Sequence, residues 1–211
     1  MFFISAKELG IYISALSIDC LVKRTSFLRF CFLYSIWCSV LSWREVFKKV
    51  IVEFFERGVP SLVERELVVK PFDLVCIIGP RRAGKTYYFY QVIRELMDSG
   101  CRCLYVDFEY EFLRGVKAVD LVELFNAYRE LYGVDPEYVF LDEIHVVSGW
   151  EYFVRRIRGS GLYRVYITGS SSKLLAREVA TQLRGRAVSY ILLPFSFREY
   201  LKAIGFSNED I

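Results

Sequence analysis

The strongest constraint on the fold of this 211-residue chain is an octapeptide that follows a short apolar run: Gly79-Pro80-Arg81-Arg82-Ala83-Gly84-Lys85-Thr86. The apolar run, 73–78, predicts a buried strand, because strands covered on both faces carry continuous rather than alternating apolar residues. The octapeptide has the spacing G-x-x-x-x-G-K-[ST], and a helix is expected to follow it. A strand, a glycine-rich turn and a helix in this order are typical of a loop that wraps a phosphate group.

The residue types of this loop explain the predicted chemistry. Successive backbone N–H groups surround the phosphate, and glycines are needed where the chain turns or approaches the ligand closely. Lys85 is expected to reach the β- and γ-phosphates, and Thr86 is expected to ligate Mg²⁺. We therefore predict that all eight residues from Gly79 to Thr86 contact a nucleotide, with ATP and Mg²⁺ as the ligands. The alternative is a glycine-rich turn that binds nothing.

A second motif supplies carboxylates. The apolar run 137–141 ends in Asp142-Glu143, which places two acidic side chains at the carboxyl end of a strand, where open α/β sheets bind ligands. We expect Asp142 to hold Mg²⁺ through water and Glu143 to orient or polarise an attacking water molecule. Acidic residues at a strand end are a weak signal alone. When a phosphate loop is also present, the two acidic residues become a specific signal.

The rest of the chain predicts an α/β fold with a five-stranded, mainly parallel sheet. Further apolar runs occur at 102–108 and 163–168, with a weaker fifth run at 187–193. Helical patterns separate the runs, including one from Val119 to Tyr132 that Gly133 closes. Strands that alternate with helices indicate a parallel sheet covered on both faces.

The first forty residues differ from the remainder of the chain. They are rich in apolar residues, but the longest uncharged stretch, 30–43, is shorter than the about 18 residues of a spanning helix. Three interpretations of these residues remain open: an interfacial or partner-binding stretch, a short helical pair, and a non-native start. A capping box, Ser42 to Glu45, then begins an amphipathic helix that Gly58 stops. The predicted organisation is an extension (1–40), a helix and link (41–70), the core (71–205) and a tail (206–211).

Composition excludes several classes of protein. The formal net charge is only +3 and aromatic residues make up 17%, so intrinsic disorder is excluded and general nucleic-acid binding is not supported. No C-x-x-C pair accompanies the six cysteines, which argues against a zinc site. Reduced thiols suggest a cytoplasmic protein.

Taken together, the motifs resemble those of the prokaryotic, largely archaeal AAA+-type ATPases. The shared motifs are the phosphate loop, Leu141-Asp142-Glu143-Ile144 with Trp150, Thr168-Gly169-Ser170-Ser171, Leu183-Arg184-Gly185-Arg186, and Leu193-Pro194-Phe195-Ser196-Phe197-Arg198-Glu199-Tyr200-Leu201. The resemblance implies a P-loop NTPase core of three α/β/α layers that performs Mg-dependent ATP hydrolysis. It also implies that Ser170, or else Thr168, senses the γ-phosphate. Arg184 and Arg186 become candidates for arginine fingers that reach a neighbouring subunit's nucleotide, and hence for a homo-oligomer; the alternative for each is a local ion pair.

Three departures from this family pattern affect the interpretation. His145 stands where the family usually has Gln, and a hydrogen-bonded structural role is favoured over a titrating one. Tyr87 and Tyr88 replace smaller residues; they are expected to pack the helix on the sheet, although one could stack near the base. The family continues into a helical lid, which this sequence is expected to lack. The competing hypotheses are therefore a nucleotide-binding module without turnover and an ATPase tethered to a membrane through 1–40.

Overall fold

The structure is a computed structural model that describes residues 42–70, 72–169 and 187–206. The elements described here belong to one compact unit that begins at Trp43. The α-helices are α1 (Trp43–Arg57), α2 (Lys85–Asp98), α3 (Val122–Tyr132), α4 (Trp150–Gly159) and α5 (Phe197–Ala203). The strands are β1 (Leu74–Ile78), β2 (Cys103–Asp107), β3 (Tyr138–Asp142), β4 (Arg164–Gly169) and β5 (Val188–Ile191). Two 3₁₀ turns, Glu111–Leu113 and Ile144–Val146, follow β2 and β3.

The five strands form one sheet in the order β2-β3-β4-β1-β5, and every neighbouring pair is parallel. The α/β fold class with a five-stranded parallel sheet is therefore confirmed. Strand β1, which leads into the glycine-rich loop, lies between β4 and β5. Strand β3 lies between β2 and β4, so the end of β3 has neighbours on both sides.

The sheet is covered on both faces, because alternate residues of each strand enter different hydrophobic clusters. Leu74, Cys76 and Ile78 of β1 pack with apolar side chains of α1, α3 and α4. Val75 and Ile77 pack on the opposite face with apolar side chains of α2. All five β1 residues are buried, as the continuous apolar run predicts for a central parallel strand. The predicted three-layer α/β/α architecture is thus present.

Helix α1 starts where the sequence predicts, and Gly58 follows its last residue in a left-handed conformation with φ 67°. Arg44 donates to Glu123 and Glu130 of α3, each at 2.6 Å, which links the two helices. Helix α3 is shorter than predicted, since Val119 is 75% exposed and precedes it. The Asp120 side chain accepts the Lys117 N–H at 2.9 Å, so this stretch forms a turn instead.

Several sequence predictions fall outside the described residues. These are the extension 1–40, Ser170, Arg184, Arg186 and, in the predicted tail 206–211, all residues after 206. Among the helices of the described ranges, none combines the length and the apolar character that a bilayer span requires.

Candidate nucleotide-binding site

Three strands bring the predicted site together at the carboxyl edge of the sheet. Strand β1 delivers the glycine-rich loop, β3 delivers Asp142 and Glu143, and β4 delivers Thr168. Because parallel strands all point the same way, their carboxyl ends meet at one edge. The edge therefore combines a loop at a helix N-terminus with carboxylates and a hydroxyl.

Glycine is required in the loop at two positions for different reasons. A Cβ on Gly79 would lie 2.1 Å from the backbone oxygen of Leu192, because the chain after β5 passes directly beside the loop. Gly84 adopts a left-handed conformation with φ 89°, which turns the chain into α2 at Lys85. The loop also closes on itself through a hydrogen bond from Ala83 N to Pro80 O at 3.2 Å.

Lys85 begins α2 with its side chain only 5% exposed. Its Nζ donates to the carbonyl oxygens of Gly79 and Pro80, both at 3.3 Å, and lies 3.9 Å from Glu143 Oε1. Beside it is an open cavity of about 530 Å³, lined by Arg81, Arg82, Gly84, Lys85, Thr86, Tyr87, Glu109 and Glu143. Lys85, predicted to bind phosphate, and Glu143, predicted to orient water, therefore line the same cavity.

Asp142 is not among the residues that line this cavity, and it is fully buried at the end of β3. Tyr105 Oη donates to its Oδ2 at 3.1 Å, and the Thr168 hydroxyl donates to its Oδ1. The Thr168 hydroxyl oxygen in turn accepts the N–H of Glu143 at 2.9 Å. Thr168, the second candidate for a γ-phosphate sensor, is thus engaged with both carboxylate-bearing residues from the adjacent strand.

Glu143 has an unusual backbone conformation and has Lys85 and His145 as neighbours. Arg82 and Glu143 are the non-glycine residues of the described ranges with positive φ, 62° and 50°, and both line the cavity. Such conformations cost of order 1–3 kcal/mol and cluster at functional sites. The Glu143 side chain lies between Lys85 and His145, whose Nδ1 is 3.2 Å from Oε2. The hydrogen-bonded structural role of His145 stays a prediction.

The donor set can be tested for Mg²⁺. Thr86 and Glu143 line the cavity, whereas both oxygens of Asp142 already accept hydrogen bonds. The described residues contain no cluster of three or more His, Cys, Asp or Glu that could hold a metal unaided. This set fits Mg²⁺, which keeps several waters and relies on substrate phosphates rather than on a protein cage.

A chain of hydrogen-bonding side chains connects α1 with Asp142 through α2 and β2. Arg57 Nη2 donates to Tyr90 Oη at 3.4 Å, and Tyr90 Oη lies 3.4 Å from Tyr105 Oη. Burial raises the pKa of Tyr105 far above its ordinary value, so it stays a donor toward Asp142. Burial likewise raises the pKa of Asp107, the partner of Asp142 in the β2–β3 register, to about 6, and the Asp142 charge adds to this.

We expect Tyr105→Phe to destabilise the domain, because Asp142 Oδ2 would lose its donor in a fully buried position. A buried polar atom without its partner costs about 1–3 kcal/mol. Urea unfolding of the nucleotide-free chain measures this loss. Tyr90→Phe is the matched control, since it removes only two longer contacts, those of Tyr90 Oη with Tyr105 Oη and with Arg57 Nη2, both at 3.4 Å. Equal stability of the Tyr105 variant and the native chain would contradict the assigned hydrogen bond.

Comparison with known proteins decides the family. A family model described as an AAA domain matches residues 71–201, more than half of the chain. The chain belongs to the AAA domain family. An uncharacterized protein of Methanocaldococcus jannaschii is 36% identical over 172 residues, which cover 80% of this chain and 38% of that protein. An uncharacterized protein of Haemophilus influenzae is 34% identical over 148 residues, covering 68% and 37%. The chain thus spans less than two fifths of these relatives.

This AAA domain also resembles solved structures of other proteins. AMPPCP-bound DnaA from Aquifex aeolicus is 19% identical with a TM-score of 0.40, covering 63% of this chain and 43% of DnaA. The Hsp104–ADP complex of Saccharomyces cerevisiae is 13% identical with a TM-score of 0.47, covering 76% and 23%.

The sequence analysis did not identify Arg65, which precedes the region that the AAA family model matches. It lies in the link between α1 and β1, where no helix or strand forms, and is nevertheless buried. It lines a second cavity, of about 650 Å³, together with Val63, Arg82, Ala83, Gly84, Tyr87, Pro194, Phe195, Ser196, Phe197 and Tyr200. No motif pointed to it, because its partners are distant in sequence.

Proposed function

We propose that this AAA domain binds ATP with Mg²⁺ and hydrolyses it to ADP and inorganic phosphate. Membership of the family supports a nucleotide-binding, ATPase-like domain. The observation that carries the finer proposal is the pair formed by Lys85 and Glu143. Nζ and Oε1 are 3.9 Å apart at the wall of one cavity, where a cation for phosphate and a carboxylate for water are both needed.

The phosphates would occupy the cavity of about 530 Å³ at the N-terminus of α2. A helix N-terminus offers backbone N–H groups and a partial positive charge to an anion. Lys85 would exchange its two carbonyl acceptors for phosphate oxygens, which carry full charge and accept stronger hydrogen bonds. Thr86 and, through water, Asp142 would hold Mg²⁺, which neutralises charge on the phosphates when it is bound.

The base and ribose would occupy the second cavity, which is lined mainly by apolar and aromatic side chains. The two cavities share Arg82, Gly84 and Tyr87 in their linings, so one ligand can extend from one into the other. A volume of about 650 Å³ lies within the usual range for small-molecule sites. Tyr87 is 53% exposed at this junction, which favours a contact with the base over the purely structural packing considered above.

In the hydrolytic step, water attacks the γ-phosphorus and the bond to the bridging oxygen of ADP breaks. Glu143 orients the water and accepts its proton as the new P–O bond forms. Thr168 fixes the backbone of Glu143, and His145 flanks its carboxylate. A guanidinium from a neighbouring copy, at Arg184 or Arg186, would add transition-state stabilisation; with Ser170, these remain proposals outside the described residues.

Equilibrium binding measured beside steady-state hydrolysis tests the proposal. We expect the chain to bind ATP and to release phosphate only when Mg²⁺ is present, with EDTA as the control. Binding without turnover would favour the rival hypothesis of a nucleotide-binding switch. No binding of ATP at all would contradict the proposal.

A further inference from the structure

The Arg65 guanidinium connects three parts of the domain. Its Nη1 donates to the carbonyl of Ala83 in the phosphate loop at 2.7 Å, and its Nη2 donates to the carbonyl of Leu193 at 2.6 Å. Its Nε donates to Glu199 Oε1 of α5 at 2.9 Å. The side chain is only 5% exposed, so these contacts are made away from water. A buried charge of this kind requires well-formed partners.

Glu199 is equally buried, and its carboxylate is saturated with donors. Besides Arg65, it accepts the N–H of Glu66 at 2.8 Å and the N–H of Ser196 at 2.7 Å. Burial alone would raise the pKa of Glu199, but these hydrogen bonds outweigh it and lower the pKa to about 2. The carboxylate is therefore charged at neutral pH, and it holds both Arg65 and the start of α5.

The contact with Ala83 fixes the direction of one peptide group in the loop. A peptide unit is planar and trans, so its C=O and N–H point in opposite directions. When Arg65 holds the Ala83 carbonyl, the N–H of Gly84 points to the other side of the loop. Backbone N–H groups of this loop are the ones expected to surround phosphate. Arg65 thus determines how one of them is presented.

We propose that Arg65 is a positioning residue for the phosphate loop, and that through Glu199 it couples nucleotide binding to the docking of residues 193–203. This inference rests on the proposed nucleotide site but concerns residues that touch neither the γ-phosphate nor the attacking water. The coupling is reciprocal by thermodynamic linkage. A nucleotide that requires the oriented peptide stabilises the docked segment, and undocking of the segment weakens nucleotide binding.

The primary variant is Arg65→Lys in the full chain, because lysine keeps a cation for Glu199 while a single ammonium cannot serve Ala83, Leu193 and Glu199 together. We expect its affinity for ADP and for Mg·AMPPCP to fall by roughly 3- to 10-fold, the value of one orienting hydrogen bond. Glu199→Gln is the second variant, and it removes the negative charge from the Arg65–Glu199 ion pair. Glu64→Gln is the matched control, since Glu64 is the neighbouring, exposed residue and pairs with Arg94 at 3.4 Å.

Hydrogen exchange separates positioning from a general loss of stability. Nucleotide should slow exchange of the α5 amides of residues 201–203 in the native chain and in Glu64→Gln. In Arg65→Lys this nucleotide-dependent protection should be lost, although thermal unfolding shows a folded domain. If Glu199→Gln does not fold, Arg65→Lys alone decides the question.

Two results would overturn the coupling while leaving the ATP site intact. One is a folded Arg65→Lys variant that binds nucleotide as tightly as Glu64→Gln. The other is a native chain that binds nucleotide with no change in exchange at residues 201–203. A native chain that binds no nucleotide refutes the proposed function itself, and the coupling fails with it.

Discussion

Glu143→Gln should reduce ATP hydrolysis by about 10²–10⁴-fold, the usual contribution of a positioned general base. Gln has nearly the same size as Glu and can adopt the same left-handed backbone, so the site should keep its shape. What it lacks is the carboxylate that orients water and accepts its proton. Steady-state phosphate release in excess ATP and Mg²⁺ measures the effect.

Nucleotide binding should survive this substitution and can even become tighter. In the native chain the Glu143 carboxylate lies 3.9 Å from Lys85 Nζ and competes with phosphate for that charge. Removal of its charge also removes repulsion toward the phosphates. Binding that persists while turnover is lost therefore distinguishes a catalytic carboxylate from one that merely supports the fold.

Glu109→Gln provides the matched control for Glu143. Glu109 lines the same cavity, but it is exposed, and its backbone follows β2 rather than β3. The same chemical change there should leave hydrolysis within a few-fold of the native rate. Equal losses in the two variants, or full activity of Glu143→Gln, would show that Glu143 does not orient the water.

The glycine-rich turn between a strand and a helix, and the strands themselves, could be predicted because their signals are local. Gly84 is needed for a left-handed turn within the loop, and Lys85 follows at a fixed spacing, whereas the clash that requires Gly79 comes from Leu192, which is distant in sequence. Strand β1 carries only apolar residues because both of its faces are covered. The predicted start of α3 was wrong. Val119 fits the helical spacing, but the hydrogen bond from the Lys117 N–H to the Asp120 side chain forms a turn there instead.

The surroundings of Asp142 depend on strand order, which apolar runs do not encode. Tyr105 and Thr168 reach Asp142 because β2 and β4 both neighbour β3. Arg65 and Glu199 are 134 residues apart and meet only in the folded chain. Their separate sequence contexts, a polar link and an L-P-x-S-F-x-E-Y-L run, give no sign that they are partners.

Lys85→Ala should weaken binding of ATP by roughly one to two orders of magnitude, since a hydrogen bond to a charged group is worth about 1.5–3 kcal/mol. The lysine side chain is 5% exposed, so its charge acts on phosphate with little screening by water. Alanine is a good helix former and should preserve the start of α2 at this position. Calorimetric titration with Mg·AMPPCP measures the loss without interference from hydrolysis.

Arg81→Ala is the appropriate comparison, because it removes one positive charge from the lining of the same cavity. Arg81 is exposed, so water already screens its charge, and we expect a clearly smaller loss of affinity. Thermal unfolding of both variants shows whether either has lost its fold. If Arg81→Ala weakens binding as much as Lys85→Ala, general electrostatic attraction, rather than a directed lysine contact, holds the phosphates. If Lys85→Ala binds ATP like the native chain, the nucleotide does not occupy this loop.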